Sequence, residues 1–179
     1  LIGRPNTATF KLQDLVGLDT SEKVTSFVTS AVKNDKFFED IKTKEVPAFM
    51  SYLLDNKFYG NKSGKGFYQK TKERDSKGRS MINVFNLETL EYEKTTRPKL
   101  KIVKEGKKIQ NRGKRLSFLV SGNDRENLFL KDYFTALFND SAQRAPEISS
   151  AYYQIDDAMR TGYFWDYGPF ELWDSLGFN

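Results

Sequence analysis

The sequence predicts a mainly α-helical protein made of two related helical units with a small β hairpin between them. Three observations carry that prediction. Apolar residues recur at i, i+3, i+4 and i+7 in several windows, the spacing of a helix face turned to a core. A pattern of F-x-L-x-D-x-x-G followed by an apolar residue runs from Phe10 to Leu18 and again from Phe170 to Phe178, as two copies of one unit would give. Between these copies lies one pair of short β-patterned runs.

The elements follow in chain order. Thr9 to Val16 reads as a short helix stopped by Gly17, with Phe10 and Leu15 among its apolar positions. Asp19 or Thr20 then caps a second helix, in which Val24, Phe27, Val28, Ala31 and Val32 form a core-facing stripe and Glu22 and Lys23 the wet side. Asn34 and Asp35 end it. A third helix begins near Pro47, where the missing N–H costs nothing, with Val46, Phe49, Met50, Leu53 and Leu54 on its apolar face. A glycine-bearing segment, Gly60 to Tyr68, follows, and residues 69–81 read as a polar loop. Ile82, Val84 and Phe85 then lead through Asn86-Leu87-Glu88-Thr89 to Leu90 and Tyr92, the hairpin.

The stretch from Lys94 to Arg115 reads as a linker holding one helix. Leu116, Phe118, Leu119 and Val120 make an apolar run ended by Gly122. Asn123 or Asp124 caps the next helix, whose face carries Leu128, Phe129, Tyr133, Phe134 and Leu137 until Pro146 breaks it. A further short helix starts at Ser149 or Ser150 and passes Tyr152, Ile155 and Met159 to stop at Gly162. The division falls between residues 97 and 98, giving a first domain over 1–97 and a second over 98–179. Both ends are expected to be cut inside a copy of the repeat.

Composition narrows the chemistry. The 179 residues are 38% hydrophobic and 30% charged, in the range of globular domains. No run approaches the roughly 18 apolar residues of a spanning helix. Cysteine and histidine are both absent, which removes disulfides, thiolate metal sites, Ser-His-Asp catalysis and histidine metal centres from this chain. The 29 basic residues exceed the 24 acidic ones by five, and the excess is local: Lys94 to Arg115 holds ten basic residues and one acid, Glu105. Such a stripe suits an anionic partner, but it lacks the interleaved aromatics on which single-stranded bases stack. A noncatalytic basic module binding nucleic acid or an acidic protein is therefore the rival reading, with nucleic acid disfavoured. A structural dimerisation module is a third.

Gly60 to Tyr68 is the most function-like segment. Its glycines with Lys62 and Lys65 can hold a phosphate or form a plain turn; composition favours the turn, and neither the Walker A order nor a Rossmann fingerprint is present. Asp14 and Asp174 occupy matching places in the repeat, suited to capping a neighbouring helix or pairing with arginine. Asp156 and Asp157 are expected on an exposed face. Trp165, Tyr167, Phe170 and Trp173 suit a core or an interface better than a ligand cage.

These residues also carry a resemblance. Gly3-Arg4-Pro5-Asn6-Thr7-Ala8-Thr9-Phe10 with Asp14-Leu15-Val16-Gly17-Leu18-Asp19-Thr20 resembles the G-R-P-x-[TS]-A-[ST]-F…D-x-V-G-L-D-T segment of 3-hydroxyacyl-CoA dehydrogenases. Asn61-Lys62-Ser63-Gly64-Lys65-Gly66-Phe67-Tyr68 resembles their K-[ST]-G-x-G-F-Y motif. Ile155 to Gly162 with Gly168-Pro169-Phe170-Glu171-Leu172-Trp173-Asp174 is similar to the corresponding part of a second such domain.

The resemblance implies the C-terminal region of a multidomain fatty-acid β-oxidation enzyme, with two helical units like the C-terminal domain of 6-phosphogluconate dehydrogenase. It implies NAD-linked oxidation of an L-3-hydroxyacyl-CoA, with NAD as cofactor, acyl-CoA as substrate, a cytoplasmic location and a homodimer as one arrangement. The proton-transferring histidine and its glutamate belong to a Rossmann domain outside this chain, so the expectation here is no catalytic residue, no metal ligand and an inactive fragment. Lys62 is the one position carried over, as the lysine that reaches toward NAD across the interdomain cleft.

Overall fold

Helices dominate, as the apolar periodicity requires, and a three-stranded antiparallel sheet stands where a two-stranded hairpin is expected. The computed structural model describes residues 1–33, 35–96 and 98–177. The chain divides into two compact units, Thr7–Arg97 and a second made of Leu1–Asn6 with Pro98–Asn179. Residues 1–6, which the sequence reading keeps with the first domain, pack with the second unit. There the Asp166 N–H donates to the Gly3 carbonyl at 2.9 Å and Ile2 lies against the core.

In the first unit, α1 (Thr9–Val16) ends at Gly17, whose φ of 102° is closed to most side chains. α2 (Leu18–Ala31) starts one residue later, so Asp19 lies in its first turn rather than capping it. Its expected core stripe is only partly covered: Val24 is 56% and Phe27 71% exposed, Val28 and Val32 are half-buried, and Leu18 is the buried residue of the helix. Periodicity tells which face is apolar; it does not supply a neighbour to cover it.

Asp35, expected to close α2, instead opens α3 (Lys36–Thr43), its carboxylate accepting the Phe38 N–H at 3.3 Å. Asn34 lies outside the described residues. α4 (Ala48–Asp55) begins after Pro47 and buries Leu53 completely, while Val46 is exposed. Leu53 packs with Leu18, Phe67 and Phe85, ringed by Phe49, Met50, Tyr52 and Tyr92, to form the core of this unit.

The sheet runs β1 (Tyr68–Arg74), β2 (Ser80–Phe85), β3 (Tyr92–Lys94), with Tyr68 opposite Val84, Lys70 opposite Ile82 and Phe85 opposite Tyr92. The expected loop over 69–81 is thus largely a strand and its turn. β1 has no apolar alternation because most of it is solvated. What holds it is backbone pairing and the turn at Asp75, whose carboxylate accepts the Lys77 and Arg79 N–H groups at 2.9 Å each.

In the second unit the basic stretch is folded rather than a linker with one helix. It holds α5 (Lys101–Gly106), which buries Ile102, and the start of α6 (Arg112–Ser121), where the Asn111 side chain caps by accepting the Lys114 N–H at 2.9 Å. α7 (Arg125–Ile148) passes through Pro146, which was expected to end it. A proline in the last turn removes a single ladder bond, and the Ser149 N–H still reaches the Ala145 carbonyl at 3.0 Å.

α8 (Tyr152–Tyr163) and α9 (Pro169–Leu176) complete the unit. Leu116 and Val120 of α6, Phe134 and Phe138 of α7 and Leu172 of α9 make its core, with Trp173 stacked on Phe138 at 5.3 Å. Leu128 and Phe129, expected on the inner face of α7, point outward. The register of burial is set by Phe134 and Phe138, one turn apart.

α1 and α9, the two copies of the short pattern, are both eight-residue helices ended by a glycine of positive φ. Their surroundings differ. Leu172 is 0% exposed and its counterpart Leu12 is 47% exposed. The last apolar position of the second copy, Phe178, lies outside the described residues.

Candidate functional site

The segment from Gly60 to Tyr68 is built around one carboxylate. Asp14, on α1 and 1% exposed, accepts the Phe67 N–H through Oδ1 and the Tyr68 N–H through Oδ2, both at 2.8 Å. The Tyr92 hydroxyl donates to the Gly66 carbonyl at 2.6 Å from the other side. Gly60 and Gly66 permit this closeness, since a Cβ on either would collide with Asp14. Burial lifts the Asp14 carboxyl above its ordinary range, and the two N–H bonds pull it back in part. Burial, with the Asp14 charge next in weight, pushes the Tyr92 hydroxyl up to about 12.

Of the two meanings the sequence left for this segment, this geometry favours the turn. The N–H groups of Gly60, Ser63, Gly64, Gly66, Phe67 and Tyr68 all have acceptors within the unit. A phosphate would have to displace Asp14 to reach the two that converge. What the turn does instead is display Lys62. Asn61–Ser63 form one 3-10 turn, and Ser63 pins it by accepting the Tyr59 N–H at 2.8 Å and donating to the Lys65 carbonyl at 2.9 Å.

Lys62 extends over Gly17 to the start of α2, where its ammonium meets Asp19 Oδ1 at 2.5 Å. Its side chain remains 47% exposed. The ion pair, chiefly its hydrogen bond, holds the Asp19 carboxyl below the usual range. Lys65 faces elsewhere, its ammonium 3.6 Å from the centre of the Phe58 ring. Asp19 is the member of the site that sequence reading missed. Its place before a helical stripe read as a cap, and the pairing partner stands 43 positions away.

The other candidates sort differently. Asp156, expected on an exposed face, is buried in α8 and accepts the Phe170 N–H at 2.9 Å, and burial raises its carboxyl. Gly168 has no room for a Cβ beside it, the arrangement of Asp14 and Gly66 over again. Asp157 stays exposed and pairs with Arg160, which also meets Glu171 at 2.5 Å. Asp174, unlike Asp14, is exposed.

Trp165 and Tyr167 each carry an arginine on the ring, Arg4 at 3.2 Å and Arg112 at 5.2 Å from the ring centres. Part of the basic stretch is engaged internally: Arg115 donates to the Ile109 and Gln110 carbonyls, Lys108 pairs with Glu105 and Arg112 with Asp166. Among the described residues no group of three acidic, histidine or cysteine side chains could hold a metal ion, and no helix is long and apolar enough to cross a membrane.

Comparison with known proteins bears on the same residues. Residues 1–70 match the model of the 3-hydroxyacyl-CoA dehydrogenase C-terminal domain, a span that includes Asp14, Asp19, Lys62 and the Gly60–Tyr68 turn. A Bacillus subtilis protein named "Probable 3-hydroxyacyl-CoA dehydrogenase" is 32% identical over 177 residues, 99% of this chain and 21% of that protein. A Rickettsia prowazekii protein provisionally named fatty acid oxidation complex trifunctional enzyme is 28% identical over 171 residues, 96% of this chain and 22% of its own length. No solved structure matches. The chain spans about a fifth of the length of the curated relatives it matches. Residues 1–70 thus carry the match to the 3-hydroxyacyl-CoA dehydrogenase C-terminal domain, and nearly the whole chain is similar to relatives named for that dehydrogenase or for a fatty acid oxidation complex.

Proposed function

We propose that this chain is the C-terminal portion of an NAD-dependent 3-hydroxyacyl-CoA dehydrogenase of fatty-acid β-oxidation. On this reading it forms the helical side of the cleft for acyl-CoA and NAD, in the cytoplasm, and supplies contacts to other domains or to a second subunit. Its two units are two related copies of one C-terminal domain, divided near residue 97. NAD, held in part by Lys62, would supply the hydride acceptor for oxidation at the 3-hydroxyl carbon of the substrate. The proton goes to a histidine oriented by a glutamate, both on a nucleotide-binding domain outside this chain.

The observation that carries the reading is Lys62. It lies in the matched span, on a turn fixed by Asp14 and Ser63, with its side chain half exposed. Asp19 occupies one of its three N–H donors, which leaves donors for the phosphate or ribose oxygens of a dinucleotide. A lysine suits that task because its charge draws the cofactor while its hydrogen bonds can swivel to meet it.

The test is Lys62→Ala in the full-length dehydrogenase. Loss of a charge-assisted contact should weaken NAD binding by about tenfold or more. Unchanged affinity would remove Lys62 from the site. The 179-residue chain by itself, lacking histidine, should form no NADH from a 3-hydroxyacyl-CoA.

A further inference from the structure

We propose that Asp19 is a positioning residue for Lys62, anchoring one ammonium N–H at the start of α2 so that the remaining donors face the anionic cofactor. The proposal rests on the reading of Lys62 as an NAD contact and adds a residue to which no role is assigned.

A lysine side chain loses much rotamer freedom when it is held in one place, so a lysine that must wait for a ligand gains from being ordered beforehand. Here three features order it. Gly17 has no Cβ, and one built there would sit 2.8 Å from both Cε and Nζ of Lys62, so the glycine is the gap through which the stem passes. The Tyr59 ring lies 5.7 Å from the ammonium on another side. Asp19 Oδ1, closed to solvent, takes the ammonium at 2.5 Å.

Electrostatics explains why the anchor must be an acid. The Lys62 ammonium sits at the N-terminal end of α2, a 14-residue helix whose aligned peptide dipoles make that end partly positive. A cation is unwelcome there. The Asp19 carboxylate in the first turn offsets both charges, and the lysine in turn holds its carboxyl below the usual range. Lys65 is no substitute, since it lies over the Phe58 ring.

Two measurements test this. In the 179-residue chain, Asp19→Ala should raise the rate at which a limiting amine-acylating reagent modifies Lys62, by at least about twofold, because the partner that shields it is gone. In the full-length dehydrogenase, Asp19→Ala should raise KM for NAD by about three- to fivefold, the range of a partly exposed pair, with kcat within twofold. Asp19→Asn keeps the shape and an acceptor oxygen, so it should fall between Asp19→Ala and the parent, which separates lost positioning from misfolding. Unchanged acylation of Lys62 would show that the pair is not held in solution and would overturn the proposal. An unchanged KM in Asp19→Ala, with a raised KM in Lys62→Ala, would overturn it while leaving the functional reading standing. An unchanged KM in Lys62→Ala would remove that reading, and the positioning role with it.

Discussion

Asp14→Asn is the most direct perturbation of the turn that displays Lys62. The two side chains have the same shape, but the carboxylate offers two acceptor oxygens and the amide one. Oδ1 and Oδ2 each take a backbone N–H at 2.8 Å, from Phe67 and Tyr68, in a place closed to water. The amide must therefore turn its NH2 toward one of these donors, leaving a buried N–H without an acceptor. That costs about 1–3 kcal/mol, reduced somewhat because the buried charge, itself unfavourable here, is also removed.

With a urea slope of about 1–3 kcal/mol/M, the midpoint of the first unit should fall by about 1 M at the centre of both ranges. The assay is amide hydrogen exchange at Phe67 and Tyr68 read against urea, because both tryptophans belong to the second unit. The pH dependence has a definite sign. The Asp14 carboxyl is raised above its unfolded value of 3.8, so in the window just above 3.8 the folded state binds more proton than the unfolded. Its contribution to stability then declines as pH rises through that window. The Asn variant lacks this titration, so its stability deficit relative to the parent should widen as pH falls through that window. An Asn variant as stable as the parent at neutral pH, within about 0.5 kcal/mol, would refute the two-acceptor account.

Further consequences can be checked by similar means. Gly66→Ala forces a Cβ against Asp14 Oδ1 and the Gly60 backbone, so it should cost more than about 2 kcal/mol and slow or abolish folding of the first unit in circular dichroism. Leu172→Ala should cost about 2–5 kcal/mol and its repeat counterpart Leu12→Ala less than about 1 kcal/mol, a difference that denaturant titration resolves. Asn111→Ala removes the cap of α6 and should lower the stability of the second unit by about 0.5–2 kcal/mol, seen as an earlier loss of the Trp173 fluorescence signal.

Several features were legible without coordinates because their causes are local. α1 with its stop at Gly17 follows from residues within one turn of each other, as does the start of α4 after Pro47. The importance of Gly60 to Tyr68 was visible in its glycines and in its likeness to a family motif. Its wiring was not, because Asp14 stands 53 positions from Phe67. β1 escaped notice for a related reason: a solvated strand of Gln, Lys, Thr, Glu and Arg shows no alternation, and only β2 beside it makes it a strand. Asp156 looked like half of an exposed acidic pair, and nothing nearby in sequence announces that Phe170 will donate to it.

The sequence by itself determined that this chain is mainly helical, where most of its helices lie, that no histidine or cysteine chemistry can occur within it, and which family's motifs it bears. Those properties depend on residue type and on spacings of three or four, which the chain carries locally. The tertiary structure decided which apolar faces are covered, that two aspartates are buried under backbone N–H groups, and that Lys62 is held by Asp19. Each of these depends on groups far apart in sequence arriving within hydrogen-bond or van der Waals distance, and only the folded backbone brings them there.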